Sequence, residues 1–202
     1  MFDKLGEIRY RQITKLINSY NPVNKTILDL GAGNNAISNH ISCNQAITID
    51  AFADNNPDIV HDISKNIPLD NGIIDICIAG EIFEHIYHAK FLLEEIHRVL
   101  KPQGVLILSV PNIVAIKNRV SFLFGRIPMV AARADTFYTD GRPGHIRDFN
   151  LKEMKMLLQQ TSFCVKQVLA DGLSISGTTV LMPWMLPKTF QDSVIIAAVK
   201  SE

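Results

Sequence analysis

This sequence predicts an α/β fold with a mainly parallel sheet, on three observations. Short β-branched and aliphatic runs recur between residues 26 and 110, and stretches with helical apolar spacing separate them. The run at 73–79 is apolar almost throughout, as a strand covered on both faces must be. Such alternation requires crossover connections, which join parallel neighbours.

Leu5, Ile8, Ile13, Leu16, Ile17 and Tyr20 keep helical spacing until Asn21-Pro22 interrupts it, so an opening helix is expected. Thr26–Leu30 reads as the first strand, 36–41 as a helix, 46–50 as a second strand and 58–61 as a brief third. Pro68, Asn71 and Gly72 mark a loop before the strand at 73–79, whose one charge is Asp75. Phe91, Leu92, Ile96, Val99 and Leu100 form a helical stripe, with Glu94, Glu95 and Arg98 outward and Pro102-Gln103-Gly104 as its stop. A buried strand follows at 105–110. Asn150 and Glu153 have capping-box spacing and open a helix through Leu158, and strands at 163–169 and 194–200 come last.

At 202 residues and 47% hydrophobic content the chain can bury one sizeable core, and a single domain over residues 1–202 is expected. Its 20 basic and 20 acidic side chains cancel, which removes the positive field that nonspecific nucleic-acid binding needs. The distribution is uneven. Residues 26–112 hold eleven acids against four bases, whereas 113–147 hold six bases (Lys117, Arg119, Arg126, Arg133, Arg142, Arg147) against Asp135 and Asp140. These bases form either a solvated face or one that meets anionic partners. Cys43, Cys77 and Cys164 are odd in number and widely spaced, which suits a reducing compartment and fits no disulfide framework. Met1-Phe2-Asp3-Lys4 lacks a signal-peptide pattern, and no run approaches the roughly twenty apolar residues of a spanning helix. A cytoplasmic location is the expectation.

The site begins at Asp29-Leu30-Gly31-Ala32-Gly33, a strand end running into a glycine turn, with Asp50 ending the next strand. Glycine lets a ligand approach the main chain, and an acid ending the second strand can accept from both ribose hydroxyls, so a nucleoside pocket is indicated. Gly31-x-Gly33-x-x-Ala36 also satisfies the loose dinucleotide fingerprint. A pyrophosphate over this turn would meet the like charge of Asp29, whereas S-adenosylmethionine carries an ammonium and a sulfonium and no phosphate. The charge pattern favours the sulfonium cofactor. The plain alternative for Asp29 and Asp50 is capping of nearby amides at the strand ends.

From Thr26 to about Gly172 the ordered set of motifs resembles the class I S-adenosylmethionine-dependent methyltransferases, especially their small-molecule branch. Ile27 to Gly33 is similar to the first motif, Ile47 to Asp50 to the second, and Val60-His61-Asp62-Ile63 through Ile67-Pro68 and Ile74-Asp75 to the third. Glu84-His85 through Glu95 to Gly104 and Pro111-Asn112 carries the last. The resemblance implies a Rossmann-like methyltransferase sandwich of seven strands, six parallel and the last antiparallel. It implies that Asp29, Gly31, Ala32 and Gly33 line the methionine moiety, that Asp50 with Ala51 holds the ribose, and that Asp62 and Ile63 meet the adenine. Asn35 stands where a third glycine is usual, so the turn is either slightly altered or aided by the left-handed tolerance of asparagine.

Methyl transfer to a hydroxyl or protonated amine benefits from a nearby base, for which His85 and His145 are the candidates. Packing for His85 and a surface loop bond for His145 are the plain alternatives. Glu81, Glu84, His85 and His145 also look like the metal motif of small-RNA 2′-O-methyltransferases and ubiquinone O-methyltransferases. Glu-His at this place occurs in metal-free relatives too, so no metal is assigned. Segments 113–147 and 172–190 interrupt the ordinary pattern and form either a lid over an anionic, partly apolar acceptor, a surface that docks on a partner or an anionic membrane, or simply extra core packing for loops. The expected activity is O-methylation of a small molecule. An NAD-dependent oxidoreductase and a noncatalytic partner subunit are the alternatives, and a homodimer is left open. The asparagine-proline-proline-aromatic signature is missing at 79–82, so DNA is not the expected substrate.

Overall fold

In a computed structural model of the protein, the described residues are 4–128, 130–132, 144–175 and 178–201. Met129, Arg133, Asp135, Asp140 and Arg142 lie outside them. α1 (Lys4–Ser19) precedes β1 (Thr26–Leu30), β2 (Gln45–Asp50), β3 (Ile59–Val60) and β4 (Ile74–Gly80). α2 (Ala89–Val99) leads directly into β5 (Leu100–Pro111), followed by α3 (Ile116–Leu123), α4 (Leu151–Gln160) and β6 (Phe163–Ala170). β7 (Leu173–Ile175), β8 (Thr178–Leu181) and β9 (Ser193–Lys200) complete the chain.

Seven strands make one sheet in the order β3-β2-β1-β4-β5-β9-β6, and β9 runs antiparallel to both its neighbours. This is the expected seven-stranded architecture. β7 and β8 pair as a separate hairpin that sequence periodicity did not indicate. Alternate residues of the strands supply two cores, as a period of two requires. Leu28, Cys77, Leu106 and Leu108 pack with Leu92, Leu93 and Ile96 of α2 and Met154 and Leu158 of α4. Ile27, Ile76, Ile78 and Ile107 pack on the opposite face with Ile13, Leu16 and Ile17 of α1. The sheet is therefore covered on both sides. Among the described residues no helix is long and apolar enough to cross a membrane.

Parallel register brings the carboxyl ends together: Leu30 lies beside Ile49 and Ala79, Asp50 beside Val60, and Gly80 beside Ser109. Four expectations are corrected here. Residues 36–41 form no α-helix; only Ile37–His40 makes a 3₁₀ turn, because the chain is already extended at Ile41, and the Ser38 amide donates to the Asp29 carboxylate at 2.9 Å. Pro102-Gln103-Gly104 is no terminator, because β5 already starts at Leu100 opposite Ile74 and absorbs these residues before Val105 pairs with Ile76. Gln103 takes the left-handed backbone there, with φ of 62°. Asn35 does not have a positive φ, so the glycine turn needs no left-handed asparagine.

The fourth correction concerns Glu95 and Arg98, which are not simply outward. Glu95 accepts from the Ile67 amide at 2.9 Å, and Arg98 donates to Glu95 and to the carbonyls of Ile67 and Leu69, each within 2.8 Å. This charged clasp ties the loop after β3 to α2. It thereby fixes one wall of the site.

Candidate active site

The glycine turn opens a cavity of about 560 Å³ at the carboxyl ends of β1, β2 and β4, within the range of small-molecule sites. Gly31 takes φ of +64°, and a Cβ there would lie 2.6 Å from Ile82 Cδ1. Gly33, at +57°, would meet nothing within 4 Å. Conformation thus requires both glycines, packing against Ile82 requires the first as well, and the second leaves open space for a ligand.

Asp50 ends β2 with Oδ2 accepting from the Gly33 amide and Oδ1 from the Phe52 amide, each at 2.9 Å. Capping and ligand binding are compatible, since a carboxylate offers about four lone-pair positions and two are used. Ala51, Asp62 and Ile63 line the same cavity. Hydrogen bonds from Ser64 hold the Asp62 carboxyl below its usual range despite some desolvation. Every cofactor candidate except Asp29 and Ala32 faces this space. Those two line an adjoining cavity of about 220 Å³ that shares Gly31 and Glu81 with it.

Asp29 is 3% exposed, and burial pushes its carboxyl up to about 6, although the Ser38 and Ile37 amides pull it back. Across the smaller cavity stands Arg9 of α1, which sequence reading did not single out. Its guanidinium donates to Glu81 Oε2 and Ser193 Oγ at 3.1 Å and lies 3.6 Å from the buried Asp171 carboxylate. Desolvation raises Asp171 to about 7, with Arg9 opposing that shift. Glu81 itself follows β4 in the left-handed region, at φ of 53°. No local motif could have revealed Arg9, because its partners lie 72 and 184 positions away.

The sequence-predicted histidines meet. His85 lines the larger cavity, and its ring lies 5.0 Å from that of His145 in an edge-to-face arrangement. The Glu84 carbonyl accepts from the Ile146 and Arg147 amides, which brings the second histidine to the first. Each Nδ1 bonds a carbonyl, of Gly144 for His85 and Val130 for His145, leaving Nε2 toward Glu84. Those Nε2 atoms lie 4.0 and 3.9 Å from Glu84 Oε1.

Glu84 is 1% exposed, and neither carboxylate oxygen has a hydrogen-bond partner among the described residues. Burial, with nearby Glu81 adding to it, raises its carboxyl well above the ordinary range. One oxygen or nitrogen from each of Glu84, His85 and His145 lies within 4.8 Å of the others, a spacing that fits a metal ion or a shared proton. Glu81 is not part of this cluster; Arg9 holds it.

The profile of a family described as a methyltransferase domain matches residues 5–168. A "probable S-adenosylmethionine-dependent methyltransferase" of Mycolicibacterium smegmatis is 30% identical over 112 residues, covering 55% of this chain and 37% of that protein. An uncharacterized methyltransferase of Schizosaccharomyces pombe is 33% identical over 111 residues, covering 48% and 44%. The chain thus spans less than half the length of these curated relatives. A solved S-adenosylmethionine-dependent methyltransferase of Thermotoga maritima superposes with a TM-score of 0.70 at 13% identity, over 98% of this chain and 91% of that one. The 1,6-didemethyltoxoflavin-N1-methyltransferase of Burkholderia thailandensis gives 0.62 at 14% identity, over 96% and 78%. At such identities these structures share the fold.

Proposed function

The chain belongs to the methyltransferase domain family, and on that premise we propose that it moves a methyl group from S-adenosylmethionine to an oxygen of a small, anionic or partly apolar acceptor. One observation carries the reading: the glycine turn, Asp50, Asp62 and His85 all face a single cavity. Asp62 and Ile63 would receive the adenine and Asp50 the ribose. Asp29 and Arg9 would flank the amino-acid end, the acid toward the ammonium and the guanidinium toward the carboxylate. Segments 113–147 and 172–190 would shape the acceptor side of what we take to be one domain.

In the reaction the acceptor oxygen attacks the methyl carbon in line, the carbon–sulfur bond breaks, and its electron pair leaves on sulfur as a neutral thioether. Alignment supplies much of the acceleration. Nε2 of His85 or His145 takes the acceptor proton, and the second imidazole with Glu84 stabilises the resulting charge.

The reading is tested by calorimetry with S-adenosylhomocysteine. Saturable binding is expected, weakened roughly tenfold or more in Asp50→Ala, which removes charge-assisted bonds. No binding by a folded protein, or thermal stabilisation by NAD alone, refutes it. Labelled methyl transfer to a panel of hydroxyl acceptors then defines the acceptor.

A second reading has its own observation, the unpartnered Glu84 oxygens beside two imidazoles. Glu84, His85 and His145 would hold a divalent ion, which lowers the pKa of a bound hydroxyl. Titration with Co²⁺ separates the two: a saturable visible absorption lost in His145→Ala supports the ion, and a featureless spectrum supports the base.

A further inference from the structure

The surface at the end of α3 is apolar and exposed, lies in one of the segments that would shape the acceptor side, and carries the exposed Arg126 next to it in the chain. Leu123 is 83% exposed and Phe124 76%, with Phe122 and Ile127 also open. This is no loose loop, because the Gly125 amide donates to Phe122 and the Arg126 amide to Ser121, each at 2.9 Å. A second apolar projection, Trp184 and Met185, is exposed on a segment tied to the same frame as α3. Gln191 Nε2 donates to the carbonyls of Pro183 and Leu186, and Asn112 Nδ2 to those of Thr189 and Gln191. Arg119 stacks 4.8 Å over Phe190, and Lys117 pairs with Asp192 at 2.9 Å, which fastens α3 to the same frame.

Charge identifies the occupant. Residues 113–127 and 182–190 contain no acid; Lys117 is paired with Asp192 just beyond them, which leaves Arg126 and Lys188 as exposed cations of this face, while residues 26–112 hold eleven acids against four bases. Self-association through this patch would face cations with cations. An anionic lipid surface satisfies them instead, while Phe122, Leu123, Phe124 and Trp184 enter the boundary between headgroups and acyl chains. We propose that this face docks the protein peripherally on anionic membranes. The proposal does not depend on which acceptor is methylated.

Trp184 is the only tryptophan in the chain, so its emission reports insertion directly. The whole protein is mixed with vesicles of phosphatidylglycerol and phosphatidylcholine, or of phosphatidylcholine alone. Co-sedimentation with the anionic vesicles, a blue-shifted Trp184 emission and loss of both on adding salt are expected. Leu123→Ser with Phe124→Ser should weaken vesicle binding by about tenfold or more. Arg126→Glu with Lys188→Glu should abolish the preference for anionic lipid, and both pairs should keep S-adenosylhomocysteine's thermal stabilisation. No sedimentation, unchanged emission, equal binding to neutral vesicles, or a concentration-dependent dimer that the serine variants dissolve would overturn the proposal.

Discussion

Asp29 is the residue whose protonation reports on the site. Its carboxyl sits at about 6 in the fold against 3.8 for the free side chain, so the folded state holds its proton longer than the unfolded state. The stability this confers is complete below the unfolded value and is lost as pH rises through about 6, on the order of 3 kcal/mol in total. Asp171, raised to about 7, extends the same trend upward. Denaturant melts of the ligand-free protein should therefore weaken from pH 4 to 7, and Asp29→Asn should remove the lower part of that slope. A cationic ligand tail restores the charge on Asp29, so binding at pH 6 should release protons, seen calorimetrically as heats that change with buffer. Arg9 gives a sharper outcome. Arg9→Ala should weaken S-adenosylhomocysteine roughly ten- to hundredfold yet leave 5′-methylthioadenosine, which lacks the amino-acid tail, unchanged; equal losses for both would remove Arg9 from the tail. Asp50 and Asp62 were legible because each sits at a strand end defined by its own neighbours. Arg9 was not, because the guanidinium acquires meaning only beside Glu81 and Ser193.

Elements were legible where one face is buried. α2 keeps Leu92, Leu93, Ile96 and Val99 inside, so the apolar stripe located it, although Phe91 of that stripe is exposed and Leu100 already opens β5. α4 starts where the capping spacing put it, with Asn150 accepting from the Lys152 and Glu153 amides at 2.9 and 3.0 Å. α3 escaped notice because its chief buried side chain is the polar Asn118, which donates to the Asn112 carbonyl. The 3₁₀ turn after β1 shows the reverse error, in which an apolar spacing implied a helix but the chain turns extended at Ile41 after a single turn. The turn between them makes its own prediction. Gly31→Ala forces a side chain into the left-handed region and against Ile82, costing at least about 1–2 kcal/mol from the backbone alone. Its melting temperature should fall together with S-adenosylhomocysteine affinity, whereas Gly33→Ala, which shares the left-handed backbone penalty at φ of +57° but meets no atom within 4 Å, should lose less stability than Gly31→Ala.

At the scale of the whole molecule, stability should follow the sheet. β1, β4, β5 and β9 are buried at its centre, and their amides should exchange slowest with deuterium, while α3 and the β7–β8 hairpin exchange first. Uniform protection across α3 and β5 would contradict this. The sequence by itself determined that the chain is α/β, which runs are covered on both faces, and that a glycine turn and two acids end consecutive strands. Those facts lie in residue order and apolar period, which act locally. Only the tertiary structure decided that Arg9 closes the second cavity, that Arg98 clasps the loop after β3, and that Glu84 is buried between His85 and His145. Each depends on strand order and register, which place side chains tens of positions apart within a few ångströms and withdraw them from water, and no local pattern of residues specifies either.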